Sequence, residues 1–550
     1  MRQLTSLDVQ FLAVEDDRTH GHVGSIAICD PSTAPGGRLT LADLKALLRQ
    51  RIHLIPPFTW KLVRVPFDLD HPFWAQDPEP DLDYHIREVG LPAPGNMQQL
   101  AVQTARIFER RLDRERPLWE LYLVHGLEGG RVGLLTKIHH AALDGLSGAE
   151  VLVTLLDLAP SGRVIPGRDE DQRRDSIPSA AELAARGLAG MPRQTLRALR
   201  SAPTTLPNLD LVPTLRSVPG IKQVAATARR ISGLMPGHER EPEVPTLVAP
   251  KTSFNARISG HRCVAMETIS LAGVKRIKNH FGVTVNDVVV AMCASALREW
   301  LIEHDELPTD PLLAMVPVSV RLPEEFGTFG NRVSMMTVPI PTTEHDPAKR
   351  VKAAHKAMDQ AKARHQLTPR MLLQNANEGI PPVIMGRTAR LLLGVAASGT
   401  LHPPLNIVIS NVPGSPVPLY LAGARLEANY PLSVITDGVG LNLTILSYED
   451  RIDFGIVGCA EAIKDPWFFA DEIRHAYEEL LELVPNEALK VVPAEPAVAQ
   501  NGADPALETA PVTVADLAPA AEPAAAKGAR PRADKKKTKK KSKKAKRPAA

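Results

Sequence analysis

The chain has 550 residues, too many for a single hydrophobic core, so two or more domains are expected. Apolar residues make up 44% of it, enough for globular packing, and 65 Lys plus Arg stand against 62 Asp plus Glu, a formal net charge of +3. That balance conceals a split: residues 527–547 hold thirteen bases and one acid, Asp534, which leaves the rest at −9 and argues against a basic nucleic-acid-binding body.

Residues 1–158 alternate short apolar runs with amphipathic stretches. Gly24–Ile28 and Val132–Ile138 read as strands, and Leu41–Arg51 and Met97–Arg111 as helices, which indicates an α/β or α+β lobe. Residues 159–250 differ in texture, with twelve prolines between Pro160 and Pro250. Residues 179–235 hold eight Arg/Lys and two acids, and Met191–Arg200 and Ile221–Met235 read as basic amphipathic helices. Such helices suit an anionic membrane surface, or equally a surface-crossing linker whose arginines are merely solvated.

A second α/β lobe is expected over residues 251–487. Thr284–Leu301 is its clearest helix, with Asn286 and Asp287 in the first turn. Strands follow at Leu312–Val320, Arg332–Ile340, Asn406–Ser410, Gly440–Ser447 and Ile452–Val457. Asp465–Leu483 closes the lobe as a helix capped by Asp465 with Pro466 at its first position. Residues 488–550 are of another kind: Ala and Pro fill 22 of the 41 positions 493–533, and the Lys-rich block follows. This composition buries too little to offset chain entropy, so a disordered basic tail is expected.

Cys29, Cys263, Cys293 and Cys459 show no paired spacing, so neither a disulfide framework nor a Cys-rich zinc site is expected. No signal-peptide-like run opens the chain, and its longest charge-free apolar stretches fall short of the ~18 residues that span a bilayer. A cytoplasmic protein, soluble or peripheral to a membrane, is the expectation.

The strongest chemical signal is Lys137-Ile-His139-His140-Ala-Ala-Leu-Asp144-Gly145, at the exit of a strand. Three readings compete. As a metal site it lacks HExxH spacing and a partner cluster, and adjacent strand histidines point to opposite faces. As structure, His139 is a satisfied core histidine turned away from whatever His140 faces, and Asp144 caps or orients the loop. As chemistry, His140 is a general base, a neutral imidazole able to take a proton from a bound hydroxyl or amine, with Gly145 permitting close backbone approach. No GxSxG elbow, P-loop or strand-borne GxGxxG is present, which leaves direct transfer from an already activated donor.

His139-His140-x-x-x-Asp144-Gly145 resembles the HHxxxDG signature of acyltransferases related to chloramphenicol acetyltransferase and of peptide-synthetase condensation domains. Further matches resemble the bacterial wax ester synthase/diacylglycerol acyltransferase family, of the actinobacterial triacylglycerol synthase type. They are Leu4-Thr-Ser-Leu-Asp8-x-x-Phe11, Gly21-His-Val-Gly24, Pro117-Leu118-Trp119-Glu120, Asn286-Asp287 and Asn406-Ile-Val-Ile-Ser-Asn411-Val-Pro413-Gly414, in order over residues 4–485. The resemblance implies two chloramphenicol-acetyltransferase-like lobes joined by a crossover, with an active-site tunnel between them. His140 would be the base, with acyl-CoA and the acceptor arriving from opposite faces. His139 would be supporting, and Pro117, Leu118, Trp119, Asn286 and Asp287 would shape the pocket. Transfer from acyl-CoA to diacylglycerol is the implied reaction, with a wax ester synthase using a long-chain fatty alcohol, or a related acyltransferase of polyketide or lipid assembly, as alternatives. Acyl-CoA is then a substrate, and no cofactor or metal is implied. The Arg-rich crossover and Lys-rich tail suit an anionic membrane or lipid-droplet surface, with no dedicated nucleic-acid partner.

Overall fold

Apolar runs condense into two six-stranded mixed sheets in the computed structural model, which describes residues 1–143, 151–152, 154–165, 175–190, 221–232, 247–319, 333–367, 394, 397–398 and 402–485. The first part of the chain supplies β1 (Arg2–Gln3), β2 (His22–Asp30), β3 (Trp60–Val63), β4 (Phe73–Gln76), β5 (Ile86–Gly90), β6 (Trp119–His125) and β7 (Val132–His139). The later part supplies β8 (Arg262–Ser270), β9 (Leu312–Ser319), β10 (Val333–Ile340), β11 (Ile407–Val412), β12 (Tyr420–Leu421), β13 (Ala424–Leu432), β14 (Leu441–Tyr448) and β15 (Arg451–Cys459). The first large sheet runs β12-β13-β2-β7-β6-β5 and the second β10-β9-β11-β14-β15-β8, while β1, β4 and β3 form a small third sheet.

The described helices are α1 (Ser6–Val14), α2 (Leu41–Arg51), α3 (Leu82–His85), α4 (Met97–Phe108), α5 (Ile221–Ser232), α6 (Leu271–Phe281), α7 (Val285–Glu303), α8 (Pro347–Leu367) and α9 (Trp467–Glu482), besides short helical runs near 151–155 and 180–190. Helix α4 stops at Phe108, short of the expected Arg111, where the buried Lys137 ammonium donates to the Ile107 (3.1 Å) and Arg110 carbonyls. Helix α9 begins one residue later than expected. Pro466 is its N-cap, and Asp465 accepts the Trp467 N–H (3.0 Å) from outside. Met191–Arg200 lies outside the described residues, as do residues 486–550 with the expected tail. No single described helix is long and apolar enough to cross a membrane.

The first large sheet packs Leu44, Leu48 and Phe58 on one face. On its other face, Leu100 and Ile107 of α4 meet Val264, Met266 and Val457 of the second sheet in one apolar cluster. The second sheet carries α7, in which Val288–Ala291 and Met292–Leu297 are buried, beside α8 and α9.

A division of strands at residue 251 does not describe the sheets. β12 and β13 fall within the expected second lobe, yet β13 pairs antiparallel with β2 from Arg425↔Asp30 to Leu432↔Gly24. The pairing covers an edge of β2 that would otherwise be left open. A bulge between Leu426 and Ala428 turns the strand over, so Leu426 enters one core and Ala428, Tyr430 and Leu432 the other. Two polar anchors hold the crossing. Arg51 Nη2 donates to both carboxylate oxygens of Asp157 (2.8 and 2.6 Å), both residues 2% exposed, and Asp157 exchanges backbone hydrogen bonds with Tyr420 (2.8 Å each). Asp453 of β15 accepts the Asn429 N–H of β13 (2.7 Å) and the Thr268 hydroxyl of β8 (2.7 Å).

Burial pushes the Asp453 carboxyl up to about 6, although the Asn429 N–H and Thr268 hydroxyl bonds oppose the shift. The folded chain therefore holds this proton more tightly than the unfolded one. Its contribution falls as pH rises from about 4 to about 6 and is lost above that window. Asp453→Asn cannot ionise. Between about pH 4 and pH 7, its urea-unfolding free energy should gain on the wild type by on the order of 2–3 kcal/mol. A difference that stays constant over this range would contradict the assignment.

Candidate active site

β7 is buried at all eight positions and delivers the histidine pair at its C-terminal end. His139 is its last residue, registered opposite His22 of β2, and His140 already lies in the turn beyond. The turn is tied down by the His140 N–H to the Gly21 carbonyl (2.7 Å) and by the His139 N–H to the Leu118 carbonyl (2.9 Å). Asp144 and Gly145 lie outside the described residues.

Strand alternation predicts that the two imidazoles face apart, but both meet the segment formed by α1 and its C-cap. Alternation ends with the strand, and His140 is past it. The His140 ring stacks on Phe11, with centroids 3.9 Å apart and planes 7° from parallel. His139, 1% exposed, accepts the Ala141 N–H at Nδ1 (3.0 Å). The neutral ring therefore carries its proton on Nε2, which faces Glu15 Oε2 at 3.8 Å. Glu15 is in turn held by the Gly21 N–H (3.3 Å) and by Arg114, whose Nε donates at 3.0 Å. Burial works to raise the Glu15 pKa, but the His139 edge and the Arg114 guanidinium outweigh it and hold the carboxyl down at about 2.

Two further imidazoles lie beneath the pair. His22 donates from Nε2 to the Phe108 carbonyl (2.9 Å), and burial, with Lys137 nearby, lowers its pKa well below the ordinary value. Burial and the Arg262 guanidinium push His20 down to about 4. Burial also brings the Lys137 ammonium down to about 8, against the opposing pull of Glu120, 3.6 Å away. Despite this density of donors, no three His, Cys, Asp or Glu side chains among the described residues are arranged to hold a metal ion.

Pro117, Leu118 and Trp119 are buried packing beside the turn. Trp119 is stacked between Phe58 (4.3 Å) and His85 (4.2 Å) and donates to the Phe58 carbonyl (2.8 Å). Leu118 shares a cluster with Ala141 and Ala142, the two residues after His140. Asn286 and Asp287 form a separate group. Thr284 and Asp287 make a capping box for α7, and fully buried Asp287 also pairs with His355 Nδ1 of α8 (2.7 Å). Asn286 accepts from Asn411 (3.3 Å), joining two motifs 125 positions apart. No described hydrogen bond or ion pair joins Asn286 or Asp287 to His139 or His140.

Phe11, Glu15, Arg114, His20, His22 and His355 were not legible as site residues. Phe11 and His22 stand inside the quoted Leu4–Phe11 and Gly21–Gly24 motifs, and Thr5-x-x-Asp8 is a capping signature that starts α1 and so sets where Phe11 projects. Gly21 has a steric reason. A Cβ there would lie 2.6 Å from His139 Nε2 and 3.1 Å from the Phe11 carbonyl oxygen. Gly21→Ala should therefore destabilise the fold by about 1–3 kcal/mol, read by urea denaturation, as the histidine pair shifts. An unchanged midpoint would show that the contact relaxes freely.

Residues 4–289 match the wax ester synthase/diacylglycerol acyltransferase catalytic domain, and residues 329–481 match the C-terminal domain of the same family. A Mycobacterium tuberculosis protein named for diacylglycerol O-acyltransferase activity is 33% identical over 484 residues, covering 88% of this chain and 90% of its own length. A second such mycobacterial protein is 34% identical over 467 residues, 84% of this chain and 95% of its own. Among solved structures, the wax ester synthase/diacylglycerol acyltransferase from Marinobacter aquaeolei VT8 superposes with a TM-score of 0.62 at 28% identity. It covers 88% of this chain and all of that one. The first condensation domain of the calcium-dependent antibiotic synthetase shares the fold, with a TM-score of 0.50 at 16% identity over 89% of this chain and 98% of that one. Two catalytic-fold lobes, a histidine pair at the end of β7 and these matches over most of the chain place it in the wax ester synthase/diacylglycerol acyltransferase family.

Proposed function

We propose that this chain transfers a long-chain acyl group from acyl-CoA to the free hydroxyl of diacylglycerol, releasing triacylglycerol and CoA. The family match carries the reaction class, and the His140 turn at the end of β7 carries the mechanism. His140 takes the hydroxyl proton as the oxygen attacks the thioester carbonyl. The tetrahedral intermediate then collapses, breaking the C–S bond, and the proton passes to the CoA thiolate. In this reading Asp144 orients the loop, and backbone N–H groups near Gly145 serve as donors to the oxyanion. Donor and acceptor reach His140 through a tunnel between the lobes. The reaction so written consumes acyl-CoA as a substrate and needs no cofactor or metal.

A long-chain alcohol is the second acceptor to test, because the Marinobacter neighbour is named for wax ester synthesis as well. Access to such lipids fits binding at the cytoplasmic face of the membrane or at a lipid droplet. Helix α5 supports this reading, with Val224 and Arg230 exposed and Ala225 buried, as does the Lys-rich block, each base adding about 1 kcal/mol near an anionic leaflet.

His140→Ala should lower turnover at least about 100-fold with the thermal melt unchanged, measured as labelled acyl-CoA conversion with diacylglycerol and hexadecanol in parallel. Substantial residual activity would remove His140 from the base role. A chain truncated after Pro493 should co-sediment less with anionic vesicles, and unchanged binding would leave α5 and the crossover as the contact.

A further inference from the structure

Helix α1 and its C-cap supply one side chain to each motif histidine. Phe11 covers the face of His140, with ring centroids 3.9 Å apart and planes 7° from parallel, and Glu15 stands 3.8 Å from His139 Nε2. Phe11 lies in the last turns of the helix and Glu15 is its C-cap, so one end of α1 serves both histidines.

The helix is itself firmly placed. Its start is fixed by the Thr5–Asp8 capping box. Leu4, Val9 and Leu12 share a cluster with Leu118, Ala141 and Ala142, so the same packing holds α1 and the two residues that follow His140. At its other end, Arg114 donates both to Glu15 and to the Leu12 carbonyl (2.9 Å). Phe11 is therefore a fixed surface against which His140 lies.

Both nitrogens of an imidazole act in the plane of the ring. A flat neighbour on one face leaves that plane open and resists the ring's rotation out of it. We propose that Phe11 is a positioning residue for the acyl transfer, setting the plane in which the His140 nitrogen meets the acceptor hydroxyl. This rests on the reading of His140 as the base. Phe11 makes no bond in the reaction. It acts by keeping the base aligned, and a misplacement of about 1 Å is enough to cost roughly 100-fold in rate.

The test compares full-length Phe11→Leu, which keeps apolar bulk without a flat face, with Phe11→Tyr, which keeps the face. Phe11→Met takes the place of the leucine variant should that one melt early. The leucine variant should lose about tenfold or more in kcat, with the KM for acyl-CoA within about twofold, while the tyrosine variant keeps most of the rate. In a His140→Ala background, Phe11→Leu should change the residual rate no further. Full kcat in Phe11→Leu, equal losses in the leucine and tyrosine variants, or an undiminished effect without His140 would each overturn the proposal. Activity surviving in His140→Ala alone would instead overturn the base assignment, so the two failures are distinguishable.

Discussion

Without residues 424–432, β2 would be an open edge, and β2 is the strand that registers β7 from His22↔His139 to Cys29↔Val132. The strand that leads into the histidine pair is thus held by a neighbour whose other side is covered by chain from about 400 positions later. The same crossing strand leans on β15, where a Cβ on Gly455 would lie 1.6 Å from the Pro431 carbonyl oxygen. Glycine is the only residue that permits that approach. Parting the two halves would break backbone ladder bonds as well as side-chain packing.

Beneath the histidine turn, buried polar groups are either kept neutral or matched. Glu15 has Arg114, and His22 has the Phe108 carbonyl. Lys137 has two helix-terminal carbonyls and Glu120, the arrangement in which a buried cation completes a helix C-terminus. Burial discourages charge on His20 and His22, so the floor of the site does not add further cations beside Lys137 and Arg262. A carboxylate or ammonium left alone there would cost several kcal/mol, and the pairing removes that penalty.

Local pattern was enough for the elements whose partners are local. The apolar spacing of residues 41–51 gave helix α2 at its observed bounds, and Val132–Ile138 fell one residue short of β7. His139 and His140 fall at the exit of β7, where the strand pattern places them. What failed to show was anything decided by distant contacts. The sequence of β13 alternates like any half-buried strand, but which sheet it joins depends on the open edge of β2. Opposed facing of His139 and His140 follows from strand geometry only while the strand continues, and it stops at His139. The contact of Phe11 with His140 spans 129 positions, and no local pattern encodes it.

Several motif residues hold backbone in place. Asn406 is fully buried and bonds to the Pro250 carbonyl (2.7 Å), Asn255 (2.7 Å) and the Leu313 N–H (2.8 Å), stitching a loop to the start of β11. Asp287 caps one helix and pins another through His355, and Trp119 fills the space between Phe58 and His85. A Cβ on Gly24 would lie 1.8 Å from the Thr136 carbonyl oxygen, so that position permits β2 and β7 to pair closely. In the proposed mechanism the imidazole at the strand exit carries the chemical task, and the pairing of β2 with β7 places the turn that holds it. Catalysis by a single base demands such a frame. With no covalent nucleophile and no metal in the proposed mechanism, alignment of one nitrogen with one hydroxyl supplies the acid–base part of the rate, and rigid packing around the turn is what maintains it.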